Sequence, residues 1–68
     1  MSQFKPWTYG TYCGPCEELQ GSRFLIIKVL AVSLLVAFDE EPDVNLYAAG
    51  LDRHSKDKFF LKKEYAQC

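Results

Sequence analysis

The chain has 68 residues, of which 49% are hydrophobic, and its formal net charge is −1. This length allows one small domain over residues 1–68, and such a domain buries only about 60% of the surface of its unfolded chain. The near-neutral charge provides no dominant basic patch, so we expect no nucleic acid partner.

The cysteine content and the first residues bear on the cellular compartment. Three cysteines are too few, and odd in number, for a secreted scaffold held together by disulfides. Residues 1–6 contain no apolar stretch of the kind that secretory signal peptides have. We therefore expect a cytoplasmic protein whose thiols are kept reduced.

The first predicted element is a short strand over residues 7–9, which are rich in β-favouring side chains. Gly10 ends this strand, and Tyr12 leads into the tetrapeptide Cys13-Gly14-Pro15-Cys16. A short helix is predicted to begin at the tetrapeptide, because residues 16–20 contain good helix formers and place glutamates in the first turn.

The tetrapeptide has the spacing of a dithiol redox site. Disulfide exchange requires a thiolate, and the unpaired amides at the start of a helix favour negative charge on a cysteine there. Cys13 would be the nucleophile, and Cys16, one turn further along, would resolve the mixed disulfide. Pro15 suits the first turn of a helix, and Gly14 leaves room beside the reacting sulfur. Such a site needs no cofactor.

Two other interpretations of these cysteines stay open. A C-x-x-C pair is also half of a zinc site, and its remaining ligands would have to be His54 and Cys68. That second pair lacks the close spacing usual in zinc modules. The third interpretation is a pair of reduced thiols without a chemical role.

The most apolar segment is residues 24–38, which begins at Phe24, ends at Phe38 and has Lys28 and Ser33 as its polar residues. Its β-branched side chains favour a buried strand, which would have to break near residues 31–33 because the segment is too long for one strand. A helix here would be apolar on every side and would have to lie in a membrane or against a partner.

Shorter patterns predict the elements of the second half. Residues 39–43 form an acidic turn that contains Pro42. Residues 44–47 alternate apolar and polar side chains and predict a half-buried strand, and residues 51–54 predict a second one. Ser55 is a plausible N-cap for a final helix over residues 56–66.

The motif Cys13-Gly14-Pro15-Cys16 is identical to the active-site tetrapeptide of thioredoxins, and the chain resembles that family. Tyr12 stands where the family has a tryptophan, and Pro42, succeeded by an apolar stretch and Gly50, is similar to the family's proline, strand and glycine turn. The resemblance implies that Pro42 is cis and packs beside the dithiol. It also implies a shortened domain, since fewer residues separate Cys16 from Pro42 than in that family.

These patterns support three hypotheses. The first is an α/β protein, a small truncated thioredoxin-like sheet with flanking helices, that acts as an oxidoreductase on the disulfides of partner proteins. Its catalytic residues would be Cys13 and Cys16, with supporting roles for Tyr12, Gly14, Pro15 and Pro42. The second is a mostly α chain, in which residues 24–38 anchor a small membrane or assembly subunit without catalytic activity. The third is a small zinc-binding module.

Overall fold

The computed structural model describes residues 4–66 and contains a five-stranded sheet in which every strand pair is antiparallel. Its strands are β1 (Tyr9–Thr11), β2 (Arg23–Val29), β3 (Ser33–Phe38), β4 (Leu51–Ser55) and β5 (Lys58–Lys62), in the spatial order β1-β2-β3-β5-β4. The helical segments within residues 4–66 are two 3₁₀ turns of three residues each, Glu17–Leu19 and Lys63–Tyr65. The expected α/β class is therefore wrong, and so is the mostly α alternative, because the described chain is all-β.

The apolar segment 24–38 forms most of the hairpin between β2 and β3. The chain reverses at residues 30–32, where the amide of Leu30 donates to the carbonyl of Ser33 at 2.9 Å. The break expected near residues 31–33 is thus confirmed, and both arms are strands. Among residues 4–66 there is no helix with the length and apolar character needed to cross a membrane, so the predicted anchor helix is wrong.

Alternation of side chains gives the sheet one fully buried face. The side chains on this face are 0–2% exposed, and they are Phe24, Ile26, Leu34, Val36, Leu51, Phe59 and Leu61. Irregular segments of the chain cover this face. The side chains that they contribute are Tyr12 and Leu19 before β2, Val44, Leu46 and Ala49 before β4, and Tyr65 and Ala66 after β5. The core therefore lies between a sheet and its own connections, which explains how so short a chain buries large side chains without helices.

The connection from β3 to β4 contains no strand, so the strand predicted over residues 44–47 is wrong. The side chain of Asn45 accepts hydrogen bonds from the amides of Tyr47 and Ala48 at 3.1 and 3.4 Å, and the chain turns there instead of extending. Gly50 ends the turn with φ of +76°, a conformation that glycine adopts readily. An exposed ion pair of 2.6 Å joins Glu41 to Arg53 of β4.

The C-terminal part differs most from the prediction. Residues 51–54 lie in β4, as expected, but the helix predicted over residues 56–66 is wrong, because residues 56–57 form a turn and β5 comes next. Phe59 and Leu61 are fully buried against the core while their neighbours Phe60 and Lys62 are more exposed. This two-residue period is that of a strand, and β5 pairs with β3 and β4. The burial of Phe59 and Leu61 in the sheet outweighs the helix propensity of the segment.

Adjacent leucines of β3 test this assignment of faces. Leu34 is 0% exposed, whereas Leu35 is half-buried on the opposite face. Leu34→Ala should lower the free energy of unfolding by about 2–5 kcal/mol, because it leaves a cavity in the core. The matched variant Leu35→Ala should cost clearly less. Urea unfolding monitored by tryptophan fluorescence measures both, and equal losses would contradict the assignment.

Candidate functional site

The Cys13-Gly14-Pro15-Cys16 loop leaves the end of β1 beside a buried tyrosine. Tyr12 is 1% exposed, its amide donates to the carbonyl of Ser22 at 2.9 Å, and its carbonyl accepts from the amide of Gly21 at 3.3 Å. The amide of Cys13 donates to the carbonyl of Tyr65 at 2.7 Å. The first half of the loop is therefore fixed to the segment just before β2 and to the 3₁₀ turn that comes after β5.

The hydroxyl of Tyr12 holds the second half of the loop. It donates to the carbonyl of Ala49 at 2.8 Å and accepts from the amide of Cys16 at 3.2 Å. Burial raises the pKa of Tyr12 above its usual value of 10.0, and the amide of Cys16 opposes part of that rise. One buried phenol thus connects the cysteine loop to the connection between β3 and β4.

Gly14 is required by close packing. It is buried, and a Cβ atom at this position would overlap the phenol ring of Tyr12. The side-chain amide of Gln20 donates to the Gly14 carbonyl at 3.1 Å. Pro15 is exposed at the tip of the loop. The role predicted for Gly14, room beside a sulfur, is in the structure room for the ring of Tyr12.

The two cysteines are in different chemical states. Cys13 is disulfide-bonded, whereas Cys16 is a free, half-buried thiol that packs against the core. They are therefore not bonded to each other in this structure. Cys13 also lines a surface depression of about 430 Å³ together with Thr11, Tyr12, Gln20 and Gly21.

The helix expected at the cysteines is absent from the described residues. Cys16 precedes a 3₁₀ turn of three residues, Glu17–Leu19, and has extended backbone angles of φ −86° and ψ 107°. An α-helix here was expected to favour the thiolate of Cys13, and a single 3₁₀ turn has no comparable dipole because few peptide units are aligned. Hydrogen bonds, rather than a helix, hold this loop.

The other predicted site residues lie elsewhere. Pro42 is half-buried in the connection between β3 and β4, and all peptide bonds of residues 4–66 are trans, so the cis proline implied by the resemblance is not found there. His54 lies on β4 with its ring 5.0 Å from that of Phe60. No cluster of metal-binding side chains occurs among residues 4–66, and Cys68, the fourth ligand of the zinc hypothesis, lies outside the described residues.

Comparison of the chain with protein-family models, with curated proteins and with solved structures found no match. The likeness to thioredoxins therefore stays a prediction from the tetrapeptide, and the loop itself is the basis for a functional proposal.

The hydroxyl of Tyr12 can be tested by deletion. Tyr12→Phe leaves the buried Ala49 carbonyl without its donor, so the free energy of unfolding should fall by about 1–3 kcal/mol. Tyr9→Phe is the matched control, because Tyr9 is 57% exposed, and it should change stability by less than about 0.5 kcal/mol. Chemical denaturation measures both variants. Similar losses of unfolding free energy in Tyr12→Phe and Tyr9→Phe would show that the buried hydroxyl does not hold the loop.

The raised pKa of Tyr12 predicts a dependence of stability on pH. In the unfolded chain the phenol ionises near 10.0, and in the folded chain it ionises at a higher pH. The contribution of this phenol to the free energy of unfolding is therefore fully present below its pKa in the unfolded chain. It is lost as pH rises through its pKa in the folded chain. The stability difference between the wild type and Tyr12→Phe should shrink above pH 10.0. The two proteins differ only at position 12, so a stability difference that stays constant as pH rises would contradict the prediction.

Proposed function

We propose that this chain carries out thiol-disulfide exchange at Cys13 and Cys16, reducing or sensing disulfides of partner proteins. One observation carries the proposal: a free thiol, Cys16, lies three positions after a disulfide-bonded cysteine on a loop fixed by hydrogen bonds. Reduction of the bond at Cys13 would give two thiols three positions apart, the pair that an exchange cycle requires.

A small thiol reductant first breaks the disulfide that Cys13 has in this structure, and the exchange cycle then has two steps. In the first, the thiolate of Cys13 attacks a sulfur of a partner disulfide, forms a mixed disulfide and releases the other partner sulfur as a thiolate. In the second, the thiolate of Cys16 attacks the sulfur of Cys13, forms the Cys13–Cys16 disulfide and releases the second partner sulfur. The protein loses two electrons and the partner gains them, and a small thiol reductant of the cell restores the dithiol.

Restricted backbone geometry is the physical basis for the second step. The amide of Cys16 is held by Tyr12, and Cys13 is held by Tyr65, so neither backbone has to be ordered when the sulfurs react. An intramolecular reaction between groups held in place avoids the entropic cost of bringing two molecules together. An activity that reduces disulfides needs a supply of thiols, so we place it in a reducing compartment, the cytoplasm, where the disulfide of Cys13 would itself be reduced.

Cysteine variants test the assignment. The fully reduced protein should reduce a fluorogenic peptide disulfide. The reduction potential of the Cys13–Cys16 pair, determined by equilibration with glutathione, should lie between about −120 and −300 mV. Cys13→Ser should abolish the activity, and Cys16→Ser should stop at a mixed disulfide that mass spectrometry detects as a one-to-one adduct with the peptide. Cys68→Ser is the matched control and should remain active.

Two results would contradict the proposal. One is a Cys13→Ser variant that retains exchange, because the nucleophile would then be another cysteine. The other is a reduced wild-type protein that reacts no faster than free glutathione at the same thiol concentration, because the loop would then add nothing to an ordinary thiol.

A further inference from the structure

The two edges of the sheet differ in their protection against additional strands. β4, at one edge, carries Asp52, Arg53 and His54, all exposed. Exposed charges on an edge strand discourage pairing with other chains. β1, at the other edge, is Tyr9-Gly10-Thr11 and has neither a charge nor a proline. Its three-residue length is the protection that β1 has, and this edge leads directly into Cys13.

Hydrogen-bond alternation shows which backbone groups of β1 point away from the sheet. Thr8 and Tyr12, on either side of Gly10, exchange backbone hydrogen bonds with the β2 side of the sheet: Thr8 accepts from Ile26 at 2.8 Å and Tyr12 donates to Ser22 at 2.9 Å. In an antiparallel pair, successive residues direct their N–H and C=O groups to opposite sides. The N–H and C=O groups of Tyr9 and Thr11 consequently point to the free edge.

Cys13 continues this outward series and already has a partner there. Its amide donates to the carbonyl of Tyr65 at 2.7 Å, so a segment lies beside the edge at this point. Outside the β1–β2 ladder, no backbone hydrogen bond within residues 4–66 uses Tyr9 or Thr11. Among residues 4–66, the edge is therefore paired at Cys13 and has no backbone partner at the two outward residues before it.

We infer that β1 is the substrate-binding edge, where an extended segment of a partner protein pairs as an added strand and brings its disulfide to Cys13. This inference rests on the proposed exchange activity and names its substrate class. Main-chain hydrogen bonds give affinity without dependence on sequence.

Proline substitution tests the role of the outward amide. Thr11→Pro removes an N–H that the sheet does not use, and proline is tolerated at an edge whose N–H faces solvent. The matched control, Thr11→Val, keeps the N–H and a β-branched side chain. The probe is an eight-residue peptide of alternating threonine and valine with a central serine in place of cysteine, so binding is measured without exchange.

Binding of this peptide to the wild type should shift the NMR amide signals of Tyr9 and Thr11 and slow their hydrogen exchange. Thr11→Pro should weaken binding about 5–30-fold, the factor expected for one or two lost hydrogen bonds, and Thr11→Val should not. A peptide methylated on alternate backbone nitrogens should fail to bind. If Thr11→Pro does not fold, Tyr9→Pro is used instead, with Tyr9→Val as its control.

Exchange kinetics separate this inference from the proposed function. With the cysteine form of the peptide as a disulfide, Thr11→Pro should slow reduction, whereas reduction of glutathione disulfide, which has no strand to add, should be unchanged. Equal slowing of both substrates, unaltered peptide binding in Thr11→Pro, or dimerisation of the chain through β1 would overturn the inference. Loss of all exchange in the wild type, with peptide binding retained, would overturn the proposed function and the role of the bound segment as a substrate, and would leave only strand addition at β1.

Discussion

The cysteine loop depends on one buried phenol. The ring of Tyr12 supports Gly14, and its hydroxyl connects the amide of Cys16 to the carbonyl of Ala49, a residue 37 positions away in sequence. A buried hydroxyl without partners would be costly, and here both its donor and its acceptor capacity are used. The same side chain therefore contributes to the core and sets the shape of the loop.

This arrangement differs physically from a dithiol at the start of a helix. A helix would provide aligned peptide dipoles, and thus a local preference for negative charge. The 3₁₀ turn Glu17–Leu19 is too short for that, and it carries two glutamates close to Cys16. What the loop offers is restricted geometry. Any exchange it performs must draw on position more than on a preformed electrostatic field.

The sequence led to correct predictions where a pattern was long and its alternatives were few. The apolar segment 24–38 had to break if it was β structure, and it breaks between β2 and β3. Tyr12 was identified as a supporting residue, although from its place before Cys13 and not from its hydroxyl. Gln20, which bonds the Gly14 carbonyl, was missed because a surface glutamine has no distinctive sequence signal.

The incorrect predictions have physical causes. Residues 56–66 contain good helix formers, yet pairing with β3 buries Phe59 and Leu61, a long-range gain that local propensity does not register. Residues 44–47 alternate as a strand does, but the side chain of Asn45 bonds its own backbone and favours a turn. The tetrapeptide suggested a helical fold through its resemblance, but four residues do not determine the structure of the residues after them.

The hydrogen bond from Cys13 to Tyr65 joins positions near the two ends of the described chain. Contacts of such wide sequence separation form late, because a long loop must close before they become favourable. We therefore expect the amide of Cys13 to acquire its acceptor after the intervening strands have paired. A nascent or partly folded chain would expose its cysteines in an unconstrained loop, with the reactivity of ordinary thiols, and would acquire its distinctive geometry at the end of folding.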